Sequence, residues 1–230
     1  MNRAAGQRQR ADLDAIVRWV GEGSRVLDLG CGDGHLLGRL QRDKRVEGYG
    51  IDIDIESVTQ CVAAGINVIQ SDLERGLSGF GDQAFDHVIL SHTLQAMHST
   101  EHIVREMLRV GREGIVSFPN FGFWQHRWQI MRGRMPVSED LPYQWFDTPN
   151  IHLCTLRDFE LFCRQHGVHI LERLVLTDNR PVTTLHNLMG ATALYRIETF
   201  AEGHRGAEAT KGHPAQAGRV VRPHGAVTDG

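Results

Sequence analysis

The chain has 230 residues, of which 41% are hydrophobic, which is enough to form one soluble domain with a sizeable core. The formal net charge of −3 excludes a broad electrostatic grip on nucleic acid, and no stretch approaches the ~18 apolar residues of a membrane span. No signal peptide is visible and the four cysteines lack Cys-x-x-Cys spacing, so we expect a cytoplasmic protein with reduced thiols and without a metal, nucleic acid or membrane as partner.

Strands alternate with helices along most of the chain. Apolar residues at helical spacing predict a first helix over 13–20. The sequence then predicts strands over 25–29, 46–52, 66–70, 85–90 and 114–118, with helices over 35–42 and 56–64 and after Ser99. This alternation favours an α/β fold: a doubly wound, mostly parallel sheet with both faces covered by helices.

The last part of the fold differs in its order of elements. Thr155 and Asp158 resemble a capping box that opens a further helix, which stops at Gly167. Two strands, over 168–176 and 191–198, follow without a clear helix between them and predict an antiparallel edge hairpin. The expected sheet therefore has seven strands, in one domain over 1–200.

Two segments depart from this rhythm. Residues 118–154 contain eight of the sixteen aromatic residues and four of the seven prolines, without a steady period. This composition predicts a structured insertion after the fifth strand, near the mouth of a ligand site. Residues 201–230 are rich in Gly and Ala and poor in large apolar side chains, which predicts a disordered tail.

The strongest motif is the segment Val-Leu-Asp-Leu-Gly-Cys-Gly-Asp-Gly over residues 26–34. A buried strand that breaks into alternate glycines, here Gly30, Gly32 and Gly34, brings bare backbone close to a ligand. In open parallel sheets, ligands bind at the carboxyl ends of the strands. The motif therefore predicts a ligand site at the end of the first strand.

Acidic residues follow three predicted strands at this edge of the sheet. Asp52 lies 20 residues beyond Gly32, where an acid can accept hydrogen bonds from ribose hydroxyls. Asp72 can accept a hydrogen bond from an exocyclic amine while Leu73 covers a purine face. Asp28 can bind an ammonium group. Ile53 and Ser91 complete the predicted set. This pattern of hydrogen-bond acceptors fits S-adenosylmethionine, or S-adenosylhomocysteine.

Two other interpretations compete with this one. Strand-end aspartates commonly make turns and cap helices, so each acid alone can be structural. NAD is the alternative cofactor, but its fingerprint is Gly-x-Gly-x-x-Gly and directs helix amides at a pyrophosphate. Here the third glycine comes one residue early, and Asp33 inside the loop would repel a diphosphate. S-adenosylmethionine is therefore favoured over NAD.

The same motifs carry a family resemblance. The chain resembles class I S-adenosylmethionine-dependent methyltransferases in three features. These are the acid before the glycines, the acid after the second strand and the Asp-Leu pair after the third. Longer strings resemble the methionine biosynthesis protein MetW family: residues 26–34, 68–72, 106–112, 115–122, 133–137, 141–143 and 147–152. The resemblance covers roughly 8–198. It implies the methyltransferase fold and a role in methionine biosynthesis alongside a homoserine O-acyltransferase, without assigning a methyl acceptor.

Catalytic candidates are few. Methyl transfer needs in-line positioning, and a base when the acceptor carries a proton. His92, after the fourth strand, is either that base or a hydrogen-bonded histidine at a strand end. Asn120, after the fifth strand, either holds a substrate or binds backbone. The thirteen histidines include no helical His-x-x-x-His pair with a supporting acid, so no metal site is predicted.

The insertion has several possible uses. Residues 147–152, with Arg132 and Arg134, either bind a small carboxylate such as homoserine or form an ordered loop. The aromatic residues of the segment either pack beneath that loop as a lid or form a protein interface. Self-association is a further possibility for such a surface.

Two functional hypotheses remain open. The first is a methyltransferase acting on a small molecule or a protein. The second is a cofactor-binding partner or regulatory subunit of homoserine acylation, which the lack of an acceptor-activating cluster favours. The chain contains no Gly-x-Ser-x-Gly elbow, so we do not expect it to be the acyltransferase itself.

Overall fold

A computed structural model describes residues 10–199 of the chain. The predicted tail over 201–230 lies outside the described residues. In the described part, eight strands form one sheet: β1 (Arg25–Leu29), β2 (Glu47–Asp52), β3 (Asn67–Gln70), β4 (Phe85–Ser91), β5 (Gly111–Pro119), β6 (Val168–Thr177), β7 (Arg180–Pro181) and β8 (Thr192–Thr199).

The strand order is β3-β2-β1-β4-β5-β8-β6-β7. The first five strands are parallel, as predicted, and β8 runs antiparallel between β5 and β6. The carboxyl ends of β1, β2 and β4 therefore lie side by side. The α/β fold with an antiparallel edge is confirmed.

The strand count is eight where the sequence predicts seven. The additional strand, β7, has two residues and pairs with the end of β6 through a tight turn at Asp178 and Asn179. Both turn residues have positive φ angles, 50° and 60°, which two-residue hairpins of the type I′ class require. A strand of this length leaves no hydrophobic pattern in the sequence.

Helices cover both faces of the sheet. They are α1 (Ala11–Trp19), α2 (His35–Lys44), α3 (Ile55–Ala63), α4 (Thr100–Val110), α5 (Trp124–Met131), α6 (Leu156–Gln165) and α7 (His186–Met189). One core cluster joins α4 and α6 to the sheet, with Met107, Phe118 and Tyr195 fully buried. A second cluster joins α1 and α2 to the opposite face, through Ile16 and Leu37. No described helix has the length and apolar character needed to cross a membrane.

Candidate functional site

The glycine loop connects β1 to α2 in a left-handed backbone conformation. Gly30, Gly32 and Gly34 have φ angles of 72°, 53° and 74°, which side chains with a Cβ rarely adopt. A Cβ on Gly30 would lie 2.6 Å from Oγ1 of Thr93, so this glycine is needed for close packing against the end of β4. A Cβ on Gly32 would meet nothing within 4 Å. Gly32 therefore presents bare backbone to open space.

Asp52 holds this loop against the end of β2. Its Oδ2 accepts a 2.8 Å hydrogen bond from the Gly32 amide, and its Oδ1 accepts one of 2.9 Å from the Asp54 amide. The amides of Gly30 and Cys31 also bond to the carbonyl of Ile51, at 2.8 and 3.1 Å. Since each carboxylate oxygen has more than one lone pair, Asp52 can organise the loop and still accept ribose hydroxyls.

Asp28 is the buried acid of the site. Its side chain lies at the end of β1 and is 2% exposed. Burial, with the neighbouring charge of Asp52 as the smaller cause, raises the pKa of Asp28 to about 7. A cationic group placed beside it would favour the carboxylate form, which fits the predicted contact with an ammonium group.

The end of β3 is organised differently from the prediction for Leu73. Asp72 caps a single 3-10 turn, Leu73–Arg75, by accepting a 3.0 Å hydrogen bond from the Glu74 amide. Leu73 is 7% exposed and packs in the core. Ile53, by contrast, is 64% exposed beside Asp52. Of these two apolar side chains, that of Ile53 is therefore the one exposed at this edge of the sheet.

The end of β4 carries Ser91 and His92. The hydroxyl of Ser91 lies 2.9 Å from that of Ser117 on β5, and the His92 amide donates to the Ser117 carbonyl at 2.9 Å. His92 has a φ of 53°, a strained value for a residue with a Cβ. The strand therefore ends in a turn that directs the imidazole away from the sheet.

His92 faces an acid that the sequence did not point to. Its Nε2 lies 3.6 Å from Oδ2 of Asp12 on α1, and Asp12 also pairs with Arg10 at 2.7 Å. Burial raises the pKa of Asp12, but the bonds to His92 and Arg10 outweigh it and hold this pKa well below its usual range. Asp12 stays ionised and can stabilise a protonated imidazole. Nothing in the sequence marks this pair, because α1 precedes the glycine motif and meets β4 only in the fold.

A cavity of about 500 Å³ opens beside His92. Its walls come from α1, the end of β4, the insertion, the β6–β7 turn and the start of β8. Its polar lining includes Asp12, His92, Ser138, Asp140, Asp178 and Thr192. The insertion therefore closes one side of a cavity at the strand ends, near the site that the sequence predicts.

Asn120 has a structural use. Its side chain is fully buried, and its Nδ2 donates to the carbonyls of Gly190 at 2.7 Å and Asn187 at 3.2 Å. Its Oδ1 accepts from the amide of Gly122 at 3.0 Å. Both amide hydrogens are thus engaged with backbone, and a role toward a substrate stays only a prediction.

Residues 147–152 form an ordered loop tied to the end of β4. The amides of Ile151 and His152 both donate to the Gln95 carbonyl, at 2.8 and 3.0 Å. Arg132, which the sequence placed near this loop, stacks on Trp128 of α5, with its guanidinium carbon 4.8 Å from the ring centre. No described contact therefore joins Arg132 to this loop, as a shared carboxylate site would need.

The four cysteines are free thiols. Sγ of Cys31 lies 3.8 Å from Sγ of Cys61, which also donates to the Gly32 carbonyl at 3.2 Å. Burial raises the pKa of both thiols. Across residues 10–199, no three His, Cys, Asp or Glu side chains are grouped so as to hold a metal ion.

Solved structures share this fold. An S-adenosylmethionine-dependent methyltransferase from Mesorhizobium loti matches with a TM-score of 0.61 and 16% identity, over 81% of this chain and 97% of that one. The [4+2]-cyclase SpnF also matches with a TM-score of 0.61 and 19% identity, over 86% and 84% of the two chains. At this identity the likeness concerns the fold, and the fold serves more than one reaction.

The sequence comparisons are more specific. A bifunctional methionine biosynthesis protein MetXA/MetW from Rhodopirellula baltica is 38% identical over 173 residues, which is 71% of this chain. The match spans only 28% of that longer protein. Residues 10–197 match the family described as methionine biosynthesis protein MetW, a range that contains the motifs at 26–34, 141–143 and 147–152. The chain belongs to the MetW family.

Proposed function

We propose that this chain is an S-adenosylmethionine-binding protein of methionine biosynthesis that acts with a homoserine O-acyltransferase as its partner or regulatory subunit. The observation that carries the cofactor assignment is the bond between Gly32 and Asp52. It holds a half-buried glycine backbone beside a carboxylate, with open space where a Cβ would stand. An adenosine ribose needs both elements, a close backbone and a paired acceptor.

The other residues of the site have defined roles in this proposal. Asp28 binds the ammonium group of the cofactor, and Asp72 accepts a hydrogen bond from the exocyclic amine of its adenine. Ile53 covers the adenine ring, Ser91 closes the site from β4, and Gly30 and Gly34 shape the loop. Leu73 supports Asp72 from the core.

The partner assignment is supported by the bifunctional relative. That protein is described by a MetXA part and a MetW part in one chain, and this chain corresponds to 28% of it. A separate MetW chain would then meet its acyltransferase by association. S-adenosylmethionine is a product of the pathway. Its concentration would set the balance between two states of the subunit that differ in affinity for the enzyme.

The test measures homoserine acylation by the purified acyltransferase of the same organism, with and without this chain, across S-adenosylmethionine concentrations. We expect the acylation rate to change when the chain is added and to depend on the cofactor. The Asp52→Ala variant should retain the first effect and shift the second to higher cofactor concentrations. A rate that is the same with and without the chain would refute the partnership.

A second candidate function is methyl transfer, which the cavity beside His92 favours. When bound, S-adenosylmethionine supplies an electrophilic methyl group. His92 would accept the proton of an acceptor at Nδ1, the ring nitrogen opposite the one that faces Asp12, while ionised Asp12 stabilises the imidazolium through Nε2. S-adenosylhomocysteine that forms with a pathway acceptor, and is lost in His92→Gln, would support this function.

A further inference from the structure

Helix α5 has its apolar face turned to solvent. Trp124, Trp128 and Met131 lie at positions i, i+4 and i+7, so they share one face, and they are 44%, 47% and 76% exposed. His126, on the inner side, is fully buried and bonds to the Asn120 carbonyl at 3.1 Å and the Ser138 hydroxyl at 3.0 Å. The helix is thus fixed to the protein by a polar contact, while both tryptophans stay about half exposed and contact neighbouring residues: Phe123 packs edge-on against Trp124 at 5.9 Å, and Arg132 stacks on Trp128 at 4.8 Å.

The segment that follows α5 carries further exposed apolar side chains. Met135, Tyr143 and Trp145 line one shallow depression and are each about half exposed or more. The side-chain amide of Gln129 fastens the segment to α5, since it accepts from the Val137 amide at 2.8 Å and donates to the Val137 carbonyl at 3.0 Å. We call these exposed side chains of the insertion together the insertion surface: Trp124, Trp128, Met131, Met135, Tyr143 and Trp145.

The insertion surface has the composition of a binding hot spot. Large aromatic side chains and arginine dominate the energy of protein interfaces, and Arg132 stacks on Trp128 in this face. Phe146 adds to it, since it packs edge-on against Trp145 at 5.8 Å while staying 71% exposed. Exposed apolar clusters of this kind mark sites of association on soluble proteins.

We propose that the insertion surface is the docking site for the homoserine O-acyltransferase subunit. This inference rests on the partnership in the proposed function and adds where the partner binds. The acyltransferase is preferred to a second copy of this chain because the name of the bifunctional relative joins a MetXA part and a MetW part in one chain.

The position of the surface also suits a regulatory contact. The same insertion supplies Ser138 and Asp140 to the cavity beside His92, and Gln95 ties it to the 3-10 turn that follows β4. A partner bound to α5 would therefore contact a segment that lines this cavity, beside the end of β4 where Ser91 of the proposed cofactor site lies. Binding at the two places can influence one another through this segment.

The experiment measures the affinity between the two purified proteins by isothermal titration calorimetry. The double variant Trp128→Ala/Trp145→Ala should weaken the complex at least tenfold, while Trp128→Phe should retain most of the affinity. Leu161→Ala is the matched control, because Leu161 is 46% exposed on α6, outside the insertion surface. Thermal unfolding and S-adenosylmethionine binding, which should be unchanged in the double variant, show that it is folded.

The outcomes separate the two proposals. A complex that forms with the wild-type chain and is unchanged in the double variant would overturn the docking site and leave the partnership standing. The absence of any wild-type complex would overturn both. Sedimentation equilibrium of the chain alone tests the remaining outcome. If the wild-type chain is a dimer, and the double variant is a monomer with unchanged affinity for the acyltransferase, the surface binds a second copy instead.

Discussion

The backbone amide of Gly32 donates a 2.8 Å hydrogen bond to Oδ2 of Asp52, twenty residues further along the chain. This bond joins the loop after β1 to the end of β2, so the conformation of the loop depends on a side chain that we also propose to bind ribose. Replacing Asp52 therefore removes two supports of the site together.

Asp52→Ala should weaken S-adenosylmethionine binding at least tenfold, about 1.4 kcal/mol, because both the ribose acceptor and the anchor of the loop are lost. Isothermal titration calorimetry measures this affinity. Asp43→Ala is the control, since it removes an acid that is paired with Arg39 on the surface of α2. Equal affinity in wild type and Asp52→Ala would contradict the cofactor geometry.

Gly32→Ala separates an effect on cofactor affinity from an effect on the stability of the fold. Gly32 and Gly65 both have positive φ, and a Cβ on either would meet nothing within 4 Å. Each alanine variant should therefore lose a similar stability, about 1 kcal/mol, from backbone strain alone. Only Gly32→Ala should also lose cofactor affinity, because its Cβ occupies the space of the ligand. Chemical denaturation and calorimetry measure the two effects, and a matching loss of affinity in Gly65→Ala would contradict the assignment.

Asp28 should make stability depend on pH. Its pKa rises on folding from the ordinary value of 3.8 to about 7, so the folded chain holds a proton between these values and the unfolded chain does not. The free energy of unfolding therefore falls as pH rises through this window. Asp28→Asn should remove that fall and be relatively more stable at pH 8 than at pH 4. Urea unfolding across this range measures the difference, and parallel profiles would contradict the shift.

Arg109 should stabilise the loop that follows β3. Its guanidinium joins α4 to that loop by binding Glu106, Asp82 and the carbonyls of Leu77 and Phe80. Lysine cannot reproduce this forked set of bonds, so Arg109→Lys should destabilise the protein by roughly 1–3 kcal/mol.

Arg105→Lys is the control for this experiment. Arg105 makes a surface pair with Glu101 on the same helix and is 70% exposed. Its replacement should change stability by less than ~0.5 kcal/mol. Equal effects of the two variants in urea unfolding would show that the Arg109 contacts add nothing.

The sequence predicted those parts of the fold whose signals are local. Periodicity and capping chemistry correctly place the five parallel strands, the glycine loop and the start of α6. In the capping box of α6, the side chains of Thr155 and Asp158 accept hydrogen bonds from each other's backbone amides. The family strings at 106–112 also have a physical basis, since they contain Glu106 and Arg109, which brace the loop after β3.

The sequence could not reveal α5 because the helix inverts the usual pattern. Its inner side is a buried histidine and its outer side carries tryptophans, so hydrophobic periodicity gives no inward face to detect. The Asp12–His92 pair was likewise hidden, because its two residues come from elements that only the sheet topology brings together.

The two ends of the insertion meet across a single backbone contact, where the amide of Phe121 donates to the carbonyl of Cys154 at 3.0 Å. A segment whose ends are already adjacent can change in length at small entropic cost, because the cost of closing a loop grows only logarithmically with its length. The length of the insertion can therefore change at little cost to the strand register of the sheet.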